Sequence, residues 1–187
     1  VFRTASEVKL IVNCLEGSMD MEVIKGQTDP LQGWVSFGYG HKEPAPVLRI
    51  ARKATVPTRF VTLLLPFRGE DHPWIRENAG KLLIVEVDRG SGVIDTLIVP
   101  RRDVAAEELK KSDFDGDFAL IRKDRNGGII HVAVVGGTKV RCGDFLLLDS
   151  KDRMGVVQLK YEGEKVLVTS SEPLDELRVN LLGAKEI

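Results

Sequence analysis

The sequence predicts an all-β protein, an antiparallel β-sandwich of stacked sheets built as one body or as two β subdomains. Three observations lead there. Short apolar or alternating segments recur along the 187 residues with Gly, Asn, Asp or Pro between them. Several of these segments come in pairs joined by hairpin-type turns. No stretch keeps the apolar period of a long amphipathic helix, and no fixed-period repeat suggests a solenoid or a propeller.

Taken in order, Glu7–Cys14 alternates so that Val8, Leu10, Val12 and Cys14 share one face of a half-buried strand. Glu16-Gly17-Ser18 is a turn, and Met19–Ile24 alternates again, so the two segments predict a hairpin. Val47–Arg52 places Leu48 and Ile50 on one face and Arg49 on the other. Phe60–Leu65 is nearly unbroken in its apolar character, the pattern of a central strand covered on both faces. Residues 1–67 therefore read as a first β segment. Residues 68–80 are polar and read as a linker, with a short helix over Pro73–Asn78 signalled by the proline at its start and Gly80 beyond its end. An isolated Trp74 either staples this link to a sheet or offers its ring to a sugar.

Residues 81–187 read as the C-terminal sandwich portion. Lys81–Val87 and Val93–Val99 predict a hairpin through Asp88–Gly92, with Pro100 ending the second strand. Ala105–Lys111 has helical propensity but is too short to stand alone. Phe118–Arg122 and Ile129–Val135 flank an Asn126-Gly127 turn. Thr138–Arg141 with Phe145–Leu148, Val156–Tyr161 with Lys165–Thr169, and Leu177–Leu182 complete the pattern.

Composition narrows the function classes. Lysine plus arginine number 27 against 28 acidic residues, a formal charge of -1, so no global field draws in nucleic acid or anionic lipid. No apolar run is long enough to span a bilayer. Cys14 and Cys142 allow one disulfide at most and read as small buried hydrophobes. The opening Val1-Phe2-Arg3-Thr4 has neither an initiator methionine nor a signal peptide, and reads as a chain that starts in mid-sequence.

The densest stretch is residues 32–46, where Trp34, Phe37, Tyr39 and His41 sit among Gly33, Gly38, Gly40, Pro44 and Pro46. Glycines and prolines at this density predict a bend or crossing between sheets. Two readings are open. In one, Trp34 and Phe37 plug a core while Tyr39 and His41 lie near the surface; in the other, the segment is an aromatic and polar platform for a sugar chain or a neighbouring domain.

The runs Gly33-Trp34-Val35-Ser36, Tyr39-Gly40-His41-Lys42, Pro44-Ala45-Pro46-Val47 and Pro57-Thr58-Arg59-Phe60-Val61-Thr62-Leu63-Leu64, with Pro66, resemble the C-terminal β-rich region of heparinase II/III-like polysaccharide lyases. The resemblance covers about the first seventy residues. It implies that the chain is the β module of an enzyme that cleaves acidic, uronic-acid polysaccharides by β-elimination. The implied partner is an N-terminal helical toroid carrying most of the catalytic groups, and the implied location is periplasmic or extracellular. On this reading the module is itself non-catalytic. Trp34, Tyr39, His41 and Lys42 are then candidates for the substrate or domain interface, with no catalytic residue, metal or cofactor assigned. The alternative is a stand-alone carbohydrate-binding or surface-interaction sandwich. An autonomous enzyme grouping Tyr39, His41 and a basic residue on one concave sheet ranks last.

Other candidates are weaker. His41, His72 and His131 belong to no close-spaced ligand motif, and His131 reads as an outward or edge residue. Asp113-Phe114-Asp115-Gly116-Asp117 resembles a calcium loop, but its glycine is misplaced and the terminal glutamate is missing, so a solvated turn is favoured. Arg49, Arg52, Lys53 and Arg59 form either a basic patch or an ordinary solvated face. No nucleophile elbow, Walker loop or dinucleotide fingerprint is present.

Overall fold

In a computed structural model, which describes residues 2–3, 7–78, 80–88, 90, 92–101, 104–109 and 113–180, the chain is almost entirely antiparallel β. It forms two compact units. The larger comprises Val1–Ile11 and Leu65–Ile187, and the smaller comprises Val12–Leu64.

The larger unit is organised by a seven-stranded sheet of β10 (Trp74–Asn78), β11 (Leu82–Asp88), β12 (Ile94–Pro100), β13 (Phe118–Lys123), β14 (Ile129–Val135), β17 (Val156–Glu162) and β18 (Lys165–Ser170), in that order. The predicted hairpins β11–β12, β13–β14 and β17–β18 are present as antiparallel pairs. Between β14 and β17 the chain leaves the sheet to make β15 (Lys139–Cys142) and β16 (Phe145–Ser150), which pair with each other, and β16 pairs on its other side with β19 (Leu177–Val179). Strand alternation sends Ile98, Ala119, Ile121, Val132, Val134, Val157 and Leu159 to one face of the large sheet. There they form one core with Val140, Leu147 and Leu148 of the small sheet, and with Phe114 and Met154. This is the sandwich. Among the described residues one short helix occurs, α1 (Ala106–Leu109), inside the Ala105–Lys111 stretch of helical propensity.

The smaller unit is made of two-stranded ribbons: β3 (Asp20–Ile24) with β8 (Val47–Ala51), β4 (Gln27–Thr28) with β5 (Leu31–Gln32), and β6 (Trp34–Gly38) with β7 (His41–Pro44). Strands β2 (Lys9–Leu15) and β9 (Val61–Phe67), which with β1 (Phe2–Arg3) make a three-stranded sheet, carry the chain out of the larger unit and back.

Three expectations are corrected. Residues 74–78 are a strand, not a helix: Trp74 to Asn78 pair with Asp88 to Ile84, so the ladder supplied by β11 outweighs a local cap signal worth a fraction of that bonding. The segment at 19–24 does not form a hairpin with 7–14. It pairs with β8, where Met21 meets Ile50, Glu22 meets Arg49 and Val23 meets Leu48, matching apolar with apolar and acid with base. The 60–65 run is not covered on both faces. Leu65 is buried but Leu64 is 59% exposed, because β9 ends its sheet and only alternate residues face inward. The alternation of β2 is blurred as well. Lys9 on its expected polar face is buried, its Nζ donating to Gly69 O at 2.8 Å and to Glu70 Oε1 at 3.1 Å.

Candidate functional site

The β6–β7 ribbon starts from Gly33. Its φ is +72°, and a Cβ there would lie 2.7 Å from both Ile24 O and Lys25 Cα, so only glycine fits. Its carbonyl accepts two backbone N–H groups, those of Gly26 and Ala45, each at 2.8 Å. One peptide thus ties the end of β3, the 26–33 loop and the exit of β7.

From that knot the pleat distributes the side chains. Trp34 pairs with Pro44 and Val35 with Glu43, and after a register shift Gly38 pairs with His41. Trp34 is half-buried and donates its indole N–H to Gln27 O at 2.7 Å. The Lys42 ammonium sits 4.4 Å from its ring centroid, a cation–π contact on the face a sugar would need. Trp34 and Lys42 are therefore brought together, as a clamp on the ribbon and not as a free platform. Lys42→Met should change the intensity or the wavelength of tryptophan emission while leaving the β-sheet circular dichroism unchanged.

At the far end the ribbon is open. Tyr39 is fully exposed in the turn and Phe37 is 79% exposed, which goes against the one of the two readings in which Phe37 fills a core. Gly40 takes φ +74° to close the turn, and a side-chain atom at Gly38 or Gly40 would meet nothing within 4 Å. The Ser36 hydroxyl braces it, with Oγ 2.8 Å from the carbonyls of both Gly38 and His41. His41 is exposed and points Nε2 toward Glu43 Oε1 at 3.9 Å, beyond hydrogen-bond reach. What the ribbon presents is two rings, a histidine and a carboxylate on a short braced tip. This arrangement can stack and hydrogen-bond a ligand; no base or acid in it is buried or aligned for proton transfer.

In the stretch read as a basic patch, Arg49 and Arg59 are paired with carboxylates and Arg52 with a backbone carbonyl. Arg59 holds Glu16 through two bonds, Nη2–Oε1 at 2.6 Å and Nε–Oε2 at 3.2 Å, and Arg52 donates to Glu16 O. Arg49 pairs with Glu22 at 2.5 Å. A solvated, paired face describes them better than a polyanion-binding patch.

In the larger unit, Trp74 donates to Asp88 Oδ2 at 3.0 Å with Arg76 over its ring, which staples it to the sheet. His72 packs on Phe67, and His131 lies on the face of the large sheet away from the core. The aspartates at 115 and 117 have protein partners. Asp115 accepts the N–H groups of Thr138 (2.8 Å) and Lys139 (3.0 Å) and the Thr138 hydroxyl, and Asp117 accepts Arg153 at 2.8 Å. Among the described residues no three His, Cys, Asp or Glu side chains gather as a metal site.

Burial works to raise the Asp115 pKa, but the Thr138 and Lys139 hydrogen bonds and the Lys139 charge outweigh it and hold the carboxyl below its usual range. A depressed carboxyl stabilises the fold above the unfolded-state pKa, and that contribution is lost as pH falls through the native value. Asp115→Asn should therefore cost about 1–2 kcal/mol at neutral pH, as a half-exposed charged acceptor would. The gap from wild type should close in acid, as followed by urea melts from pH 7 to pH 3.

No protein-family model matches the chain, and no curated protein matches it. What defines its class is therefore the architecture itself: an antiparallel β-sandwich joined to a ribbon unit with an aromatic tip.

Proposed function

We propose that this chain is the β-rich module of a heparinase II/III-like polysaccharide lyase, supplying the sheet side of a cleft for an acidic polysaccharide and not the catalytic acid or base. The observation that carries the reading is the β6–β7 tip. Tyr39 and Phe37 are presented to solvent on a turn braced by Ser36, at the positions where the sequence resembles that family. Exposed rings on a stiff turn lose little entropy on contact, which suits them to stacking on a pyranose or packing against a second domain. Tyr39 and His41 are exposed at the end of the ribbon, a placement that suits contact with a ligand or a second domain more than proton transfer inside a cleft.

The test is the absorbance of unsaturated uronate formed from heparin, heparan sulfate and alginate. It is run with this chain alone and with the chain joined to the helical toroid domain that the proposal calls for. Activity only in the second form is the expected result. Activity of the chain alone, or of neither form, would overturn the proposal; the second of these outcomes would leave a binding sandwich as the better reading.

A further inference from the structure

The two edges of the seven-stranded sheet differ. At the β10 edge, Arg101 donates to Asn78 O at 3.1 Å, to Gly80 O at 2.8 Å and to Glu77 Oε1 at 3.2 Å, and Arg76 stands over Trp74. Charge and a side-chain donor thus guard that edge, a usual protection against strand addition. At the other edge β18 reads Lys165-Val166-Leu167-Val168-Thr169-Ser170, with no proline and no bulge over six successive pairs with β17. Among the described residues β17 is its only neighbour in the sheet. Leu167 is 51% exposed and Val168 is 48% exposed.

Those two residues point to opposite faces. Val168 pairs with Leu159 and Leu167 with Lys160, so Val168 shares the core face and Leu167 the other. A partner lying on either face of the sheet would cover one of them. A strand added at the edge covers both.

We propose that β18 is a self-pairing edge, at which a second copy of this chain adds its own β18 antiparallel to give one sheet running through both copies. Self-complementarity selects this occupant. A two-fold axis perpendicular to the sheet keeps each face on its own side, so odd residues must oppose odd and even oppose even. With Leu167 on the axis, Leu167 meets Leu167 of the second copy, Val166 meets Val168 on the core face in both senses, and Lys165 meets Thr169. Every apolar residue of the strand meets an apolar one, and no like charges face each other within it. The interface is independent of the polysaccharide reading.

The experiment is sedimentation of the full chain across about 1–100 μM, where a micromolar interface is populated. Wild type should approach twice the chain's 20.7 kDa. Leu167→Lys sets two ammonium groups against each other on the axis and should weaken association at least about tenfold. Leu167→Glu alone should do the same, and an equimolar mixture of the two variants should recover the dimer. An unchanged β-sheet spectrum in both variants, with a melting temperature that matches wild type diluted to its monomer, separates lost pairing from lost folding. A wild-type monomer throughout this range, a dimer indifferent to both substitutions, or no recovery on mixing would each overturn the proposal.

Discussion

Gly33→Ala should unfold or severely loosen the Val12–Leu64 unit. The left-handed backbone at Gly33 costs an alanine about 1–2 kcal/mol. The new methyl would press on the Ile24–Lys25 backbone at 2.7 Å, where nothing flexible can yield, adding about 1–3 kcal/mol. The loss extends further, because displacing this peptide also strains the two N–H groups bound to its carbonyl. The unit has little to absorb such a cost: Leu15 and Ile24 are its buried apolar side chains, while Met21, Val23, Leu31, Phe37, Val47, Val56, Phe60 and Leu64 are exposed. Amide hydrogen exchange should show protection lost in strands β3 to β8 and kept in β11 to β14. Retained protection across β3–β8 would contradict the role given to Gly33.

Phe114→Ala should produce the largest stability loss in the larger unit. Phe114 is fully buried at the centre of the sandwich core, bridged to Val140 through the backbone, with its ring where a Gly116 Cβ would stand 2.7 Å away. Emptying that site costs about 3–5 kcal/mol, a large share of the 5–15 kcal/mol that holds a typical domain. With an ordinary dependence on denaturant, the urea midpoint should fall by roughly 1–3 M. A shift of a few tenths molar would mean that the core collapses into the space.

Much of the sandwich could be read from the chain. Wherever two apolar segments flank a short turn, as at Asn126-Gly127 or Glu162-Gly163-Glu164, local chemistry and long-range pairing favour the same hairpin. Legibility failed where the two diverge. Pro73 and Gly80 bracket 74–78 as they would a helix, yet the partner that makes it a strand, β11, lies beyond Gly80 and competes only once the sheet forms. Similarly, the alternation of Met21 and Val23 marks an apolar face but says nothing of whether anything covers it. The same limit explains Phe37, whose hydrophobicity suggested a core position while its place beside a turn leaves it in solvent. Of the candidate site, the sequence located the segment and its exposed Tyr39 and His41. The clamp of Lys42 on Trp34 depended on the register of β6 against β7, which a shift between Val35 and Gly38 sets. The edge at β18 was legible as a strand, but being last in a sheet is a property of topology.

The most direct test of the proposed cleft-facing role is hydroxyl-radical footprinting of Phe37 and Tyr39. It would be read in the chain alone, with acidic oligosaccharides added, and in an extended protein that joins the chain to the helical toroid domain the proposal calls for. Both rings should label strongly in the free chain and severalfold less in the extended protein or its saccharide complex, with Trp74 as an internal reference. Equal labelling of Phe37 and Tyr39 under all three conditions would show that the tip meets neither sugar nor domain, and would contradict the account.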